Sequence, residues 1–457
     1  MEILALSSVM KRVILSLIAL CAVATASAQL KTSYFMKGSY FRTDLNPALA
    51  PTRGYVALPA IGGLGVDFSN NAFSMRNLIY KHEGETVTAL HSSVSADQFL
   101  STLPKKISIA NSEQVNILGV GFYNRRGTYW NFGINMRSYL AFTTNRDLFA
   151  AMKSLGNRSI DMRSTALDMN IYAEAYIGAA FALNDWLDFG VRAKGLWGLF
   201  NANAFATEAD VTTSRTEILG TLSAQVRGAG MIINSQDAIG ALEELILEKP
   251  DLSQTNNGGF AVDLGVNASL LDRRLNLSAA VTDVGFIRWA KGSTLDVRGN
   301  FYYRGVDLDS EQVDAGASSD VQSQESRSYS RFLNANLNVG AEYAILDEQI
   351  SFGLMWHNQL RPNYIWSELT ASVNFRAGRW FDVSFSHTFL GRNRPGVFGT
   401  AINIHPNGFN LFVGADFIDT TFYRSSEILV PKNLKSLSLY IGLGFNFGKY
   451  RQYIGDM

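Results

Sequence analysis

From Ser436 to Gly448 the chain alternates without a fault. Leu437, Leu439, Ile441, Leu443, Phe445 and Phe447 share one register, and Ser436, Ser438, Tyr440, Gly442, Gly444, Asn446 and Gly448 the other. A period of two belongs to a strand with two unlike faces, because successive side chains point to opposite sides. Strands of soluble sandwiches run about 5–6 residues, whereas a tilted strand crossing a bilayer needs roughly 9–11. This stretch has the second length.

The pattern recurs along the chain. Trp130 to Arg137, Leu187 to Lys194, Gly259 to Ala268, Leu333 to Tyr343, Leu369 to Ala377 and Phe409 to Phe417 all alternate, with Asn, Ser, Gly, Asp and some Arg or Lys on the second register. Soluble sandwiches alternate too. Here, however, the strands are long and are joined by short polar turns, as at Leu270-Leu271-Asp272-Arg273-Arg274 and Leu346-Asp347-Glu348. Aromatics gather toward strand ends, as at Tyr129-Trp130, Trp186, Trp289 and Trp380-Phe381, where the interfacial girdles of a membrane barrel lie. The expectation is an all-β fold: a transmembrane antiparallel β-barrel of about 14 strands (14–16) in one domain. Residues 61–69 and 205–214 are the weaker strand candidates.

Between strands, Ser95–Leu103, Asn145–Leu155 and Ser235–Lys249 read as short helices. The last has Ala238, Ile239, Ala241, Leu242, Leu245 and Ile246 on one face and Asp237, Glu243, Glu244 and Glu248 opposite. Asp307–Arg327 is acidic and rich in Ser and Gln, and reads as one long surface loop. Asp307, Asp309 and Glu311 are calcium-ligand types, but the glycine and terminal glutamate of a calcium hand are not at the right spacing. Calcium binding by this segment stays open.

The N-terminus adds a destination. Met10-Lys11-Arg12, the apolar run Val13–Val23 and Ala26-Ser27-Ala28 form a secretory signal peptide over residues 1–28, with Met10 as the start and cleavage near Ala28. Cys21, the only cysteine, lies inside it, so the mature chain takes nothing from disulfides. The chain carries 40 basic and 40 acidic residues; removing the signal leaves 38 and 39, no footprint for nucleic acid. No mature segment is long and apolar enough for a membrane helix. An exported barrel of this pattern belongs in a Gram-negative outer membrane, with lipids as its surroundings.

Candidate chemistry is sparse. The five histidines, His82, His91, His357, His387 and His405, have no metal-ligand spacing, and no GxSxG elbow occurs. His357 and His387 alternate with apolar neighbours and are candidates for the lumen. Gly62-Gly63-Leu64-Gly65 and Gly442-Leu443-Gly444 sit in strands and open no helix, which excludes a phosphate loop. Neither enzyme activity, cofactor nor metal is expected. Arg137, Arg192, Lys194 and Arg376 lie on the polar register. A charge facing lipid near the midplane costs roughly 2–4 kcal/mol, so these must face inward, either paired with Asp188, Asp263 and Glu342 or selecting an anionic headgroup.

The last strand resembles the signal read by the barrel assembly machinery. Tyr440, Gly442, Phe445 and Phe447 fill its positions, although a polar tail, Lys449–Met457, replaces the usual terminal aromatic. Further motifs are Arg42-Thr43-Asp44-Leu45-Asn46-Pro47-Ala48, Tyr172-Ala173-Glu174, Gly190 to Gly198 and Asp283-Val284-Gly285-Phe286-Ile287-Arg288-Trp289. In their order the chain resembles a family of uncharacterised outer-membrane barrels similar to the long-chain fatty-acid transporter superfamily. The resemblance implies an N-terminal segment, residues 29–60, folded inward as a hatch with Asn46, Pro47 and Ala48 among its residues. It implies passive passage of small hydrophobic molecules through a lateral opening. The same superfamily includes secretion-associated surface barrels whose loops bind protein, which is the alternative function. Read from the residues alone, Asn46-Pro47 is equally a turn before the first strand. A transporter requires an apolar path reaching the wall or the periplasm; a scaffold requires a lumen plugged by paired charges.

Overall fold

The computed structural model describes residues 31–451, apart from 148–157, 214–217, 230–255, 308–311, 391–395, 419–421, 425–428, 432–435 and the shorter gaps 73–74, 84, 90, 92, 162, 291, 327, 362–363 and 449. The expected helices at 235–249 and 145–155 lie wholly or mostly outside the described residues. No described helix is long and apolar enough to cross a membrane.

Fourteen antiparallel strands close a barrel. They are β1 (Gly54–Ala57 and Leu64–Asn70), β2 (Lys106–Tyr123), β3 (Tyr129–Asn145), β4 (Ala166–Ala182), β5 (Leu187–Thr213), β6 (Ile218–Ala229 and Gly258–Leu270) and β7 (Leu275–Trp289 and Gly292–Asp307). There follow β8 (Gln312–Ser326, Tyr329–Phe332 and Asn336–Ile345), β9 (Ile350–Arg361), β10 (Tyr364–Ala377), β11 (Phe381–Phe389), β12 (Val397–Ile404), β13 (Asn410–Ile418) and β14 (Ser436–Phe447). Each pairs with its neighbours in sequence, and β14 closes on β1 through Gly54↔Phe447 and Leu64↔Ile441.

Burial is inverted relative to a soluble protein. On β14, Leu439, Ile441, Phe445 and Phe447 are 40–49% exposed, while Tyr440 and Asn446 between them are 6% and 7% exposed. Apolar side chains outward and polar side chains inward, on a sheet with no free edge, are what a bilayer demands. The protein is an outer-membrane barrel. Short turns at 124–128, 183–186, 271–274, 346–349, 378–380 and 405–409 share one end with Gly54 and Phe447, and that end is periplasmic. Two of these turns repeat a Leu-Asp pair. Leu271, Asp272 and Arg273, like Leu346, Asp347 and Glu348, all take φ between 50° and 66°.

At the opposite end, the β1–β2 connection builds its own small core from Val94, Phe99, Leu100, Leu103 and Ile107. Its helix, Ala96–Ser101, falls within the segment expected from sequence and is capped by Ser95 Oγ, which accepts from the Gln98 amide at 3.1 Å.

Several expectations are corrected. Asp307–Arg327 is not one loop: Gln312–Ser326 pairs with Gly292–Asp307 and extends the β7–β8 hairpin beyond the barrel. A polar sequence can still form a strand there, because the ladder bonds are made by the backbone and an apolar register is imposed only where one face is buried. Asp309 and Glu311 lie outside the described residues. Trp289 is fully buried in the lumen rather than in a girdle. The cause is a bulge at Asp283 (φ 59°). It buries Thr282 and Asp283 in succession, so that odd rather than even residues point inward beyond it. Tyr129 also points inward, while Trp186 and Trp380 are exposed as expected. His387 lies on the outward register, between the rings of Phe389 and Phe398. The expected N-terminal segment of 29–60 ends earlier than its residues suggested, since Gly54–Ala57 already pairs in the wall.

Candidate functional site

Residues 31–53 lie inside the barrel, buried against the inward faces of strands all around it. Lys31 Nζ sits 3.1 Å from Glu368 and 3.7 Å from Asp67, and its backbone N–H donates to Asp416. Burial pulls the Lys31 ammonium pKa down, but these three carboxylates outweigh it and hold the pKa above its ordinary value. Thr32 bonds to Ser386 and Asp416, Tyr34 to Ser278, and the Gly38 amide to Asp382. One helical turn, Arg42–Leu45, precedes Asn46.

Asn46 is a clamp. Its Nδ2 donates to the carbonyl of Val266 on β6 at 3.2 Å and to Tyr34 Oη at 3.3 Å, while its Oδ1 accepts from the Ala48 amide at 2.9 Å. Asn338 holds the neighbouring Leu45 carbonyl at 2.6 Å. Pro47 and Ala48 press on Gly190 of β5. The three residues singled out from sequence thus stand together against β5–β7.

The wall receives the segment through glycines. A β-carbon on Gly190, Gly265, Gly340, Gly353, Gly399 or Gly442 would collide with Pro47, Asn46, Tyr34, Phe35, Thr32 or Phe41 respectively. Glycine is the residue that lets a side chain or backbone come this close. The sequence marks Gly442 in a glycine cluster and in the assembly-signal pattern, and Gly190 in a motif, but it marks none of the six as a seat for the segment, because inward glycines are ordinary in barrel strands.

The predicted lumen charges are all inward, and the structure ties them to carboxylates. Arg137 lies 3.0 Å from Glu174 and 3.4 Å from Asp283; Lys194 lies 2.6 Å from Asp283 and 2.8 Å from Asp263. Arg192 reaches Asp44 of the segment at 2.7 Å and rests over the Tyr176 ring. Arg376 contacts Glu342 at 2.6 Å and donates to the Phe35 carbonyl at 2.9 Å. Of the three expected partners, Asp263 and Glu342 take these places, whereas Asp188 pairs instead with Arg451 of the tail. Glu174, Asp283 and Asp44 were missed, although each lies in a motif that the sequence reading quoted. Above the segment, a small cavity of about 70 Å³ is lined by Lys31, Asp67, Arg137, Tyr139, Asp283 and His357, among other polar groups. His357 is inward, with Nδ1 2.7 Å from Asn338.

The wall is irregular at one place beside the closing seam. Between Ala57 and Leu64, β1 leaves the ladder and turns outward, leaving Ile61 48% exposed. The adjacent β2 bulges between Asn116 and Leu118, and both Ile117 and Leu118 face lipid. The excursion is held by Leu58 N–H to Leu443 O and Ala60 N–H to Asn116 O, each 3.0 Å. Behind it stand Tyr40 and Phe41 of the segment. Tyr40 Oη donates to the Gly62 carbonyl at 2.6 Å and stacks on Tyr55 at 4.0 Å, while Phe41 meets Phe412 and Tyr440 at 5.1 and 4.4 Å. Of the four residues that resemble an assembly signal, Phe445 and Phe447 point to lipid, and Tyr440 and Gly442 carry Phe41.

Residues 47–416 match the model of a family of unknown function, DUF5723. The chain belongs to that family. The DUF5723 barrel is also similar in fold to solved barrels, at low identity. The Ralstonia pickettii toluene transporter TbuX is 9% identical with a TM-score of 0.41, covering 90% of this chain and 94% of that one. The P. putida toluene transporter TodX is 10% identical at 0.40, with the same shares covered. The monoaromatic hydrocarbon channel CymD is 10% identical at 0.36, covering 94% and 96%. No curated protein matches the DUF5723 barrel in sequence.

Proposed function

We propose that this barrel passes small hydrophobic molecules passively between its lumen and the lipid. Residues 31–53 act as the hatch and the excursion at 58–63 as the side opening. One observation carries this reading: Tyr40 and Phe41 of the segment fill the back of the only place described here where β1 leaves its ladder, with Tyr40 bonded to the excursion itself. An aromatic lining inside and Ile61, Ile117 and Leu118 outside make an apolar route once those rings withdraw. Withdrawal requires movement of the segment, because the cavity above it is polar and offers a hydrophobic solute no resting place.

A second reading is a closed scaffold that binds protein through its outer loops. The ion pairs that fill the lumen favour it, since a plugged barrel needs no path.

A tether separates the two. Asn46→Cys with Gly265→Cys places two sulfurs within bonding reach, as a β-carbon on Gly265 lies 3.0 Å from Asn46 Cγ. Uptake of radiolabelled toluene and oleate by intact cells is compared between the oxidised and the reduced protein. The hatch reading expects oxidation to lower uptake to the level of cells without the barrel, and reduction to restore it. Equal uptake in both states sinks transport by this route and leaves the scaffold. Small molecules that co-purify with the folded barrel, identified by mass spectrometry against an unrelated barrel, give an independent readout.

A further inference from the structure

The polar tail after β14 does not simply leave the barrel. Gly448 takes φ 77°, which turns the chain out of the ladder and back beneath the lumen. Arg451 then donates its backbone N–H to the Thr52 carbonyl at 2.8 Å, and its guanidinium meets Asp188 at the start of β5 at 2.6 Å. Tyr450 lies between two guanidinium groups, Arg53 at 4.7 Å and Arg379 at 5.2 Å from its ring centre. Its hydroxyl donates to the Arg379 carbonyl in the β10–β11 turn at 2.7 Å. Arg53 returns the contact, donating Nη2 and Nε to the Gly448 carbonyl at 3.0 and 3.3 Å and Nη1 to Asn407.

Thr52 and Arg53 are the last residues of the internal segment before β1 begins at Gly54. Any exit of residues 31–51 toward the periplasm must turn about them, because Gly54 is paired with Phe447 and Tyr55 is fixed in the wall on both sides. We infer that Gly448, Tyr450 and Arg451 are a lock on this hinge, tying Thr52 and Arg53 to β5 on one side and to the β10–β11 turn on the other. The lock names the control of the hatch and so rests on the hatch reading for its purpose, though its mechanics stand apart from any solute. Its bonds are those of exposed or part-buried groups at a periplasmic rim. A periplasmic factor that captured Tyr450 or Arg451 would therefore loosen the segment without touching the lumen.

The test reads the segment directly. Ser39 is fully buried in the segment; Ser39→Cys, with Cys21→Ser in the precursor, gives a single thiol whose maleimide labelling rate in the full-length folded protein reports opening. Tyr450→Ala with Arg451→Ala should raise that rate by about tenfold or more, since it removes a charge-assisted bond and a cation–π contact. A heat-shifted gel mobility unchanged from the parent shows that the barrel is intact. Should the double variant fail to assemble, Arg451→Glu should accelerate labelling, and adding Asp188→Lys should slow it again. Labelling at the parental rate in the Tyr450→Ala, Arg451→Ala variant, or in Arg451→Glu where the first does not assemble, overturns the lock. Toluene uptake is measured alongside: faster labelling with unchanged uptake keeps the lock and removes the hatch reading, so the two failures are distinguishable.

Discussion

Asn46 and Gly265 share one space. The Asn46 Oδ1 atom stands where a β-carbon on Gly265 would be, and Asn46 Nδ2 donates to the carbonyl of the next residue, Val266. The internal segment is therefore fitted to the wall to within a single methyl group. Gly265→Val should cost about 1–3 kcal/mol by overpacking, and it should act on the segment before the wall. Faster labelling of the Ser39→Cys thiol, with the heat-shifted mobility kept, is the expected outcome.

Lys194 stands between Asp263 and Asp283, and all three side chains are buried in the lumen. Lys194→Met leaves two buried carboxylates facing each other and should destabilise the barrel by about 3–5 kcal/mol. Adding Asp263→Asn and Asp283→Asn should recover most of that loss, because neutral amides of the same shape need no counter-charge. Urea unfolding in detergent micelles, followed by tryptophan fluorescence, measures both.

Phe41→Ala empties the space behind the β1 excursion. Truncation of a buried phenylalanine costs about 3–5 kcal/mol where the site does not collapse. Here the loss should fall on the closed position of the segment. Uptake of toluene by intact cells should rise, and Phe41→Leu should lie between the variant and the parent.

Ile441 and Tyr440 are neighbours with opposite surroundings. Ile441→Arg puts a charge into lipid and should cost roughly 2–4 kcal/mol if it lies at the midplane. The Tyr440 hydroxyl is buried with no hydrogen-bond partner among the described residues, so Tyr440→Phe should be nearly neutral. The fraction of heat-shifted protein in the membrane reports the first, and the urea midpoint the second.

For the assembly signal, Phe445 and Phe447 are the accessible half. Phe447→Ser should slow insertion while leaving the lumen contacts in place. Pulse-chase conversion to the heat-shifted form is the measurement, and an unchanged rate removes Phe447 from the signal.

Alternation made the barrel legible in β3, β5, β6, β10 and β14, because lipid outside and polar packing inside impose unlike demands on the two registers. The reading slipped where the register itself slipped. At Asp283 the bulge exchanges faces, so Trp289 was assigned to the wrong side. It also failed at Gln312–Ser326, where both faces are polar and no alternation exists to be seen. The charges were placed inward from their cost in lipid alone. Their partners were not legible, because Arg137–Asp283 and Arg192–Asp44 join positions more than a hundred residues apart. The seat of the segment was hidden for a different reason: it is made of glycines, and a missing side chain leaves no mark on a hydrophobic pattern.

Phe41 rests on Gly442 and Tyr440, in the strand that closes the barrel, whereas Asn46 rests on strands from the middle of the chain. Part of the docking surface for residues 31–53 thus does not exist until the strand Ser436–Phe447 has arrived. Residues synthesised before every strand of the wall are consequently among the last to find their places. They must wait within a sheet that is still open, and closure of the seam seals them in. Order of time runs opposite to order of sequence in this molecule, and its slowest step should depend on events at both ends of the chain at once.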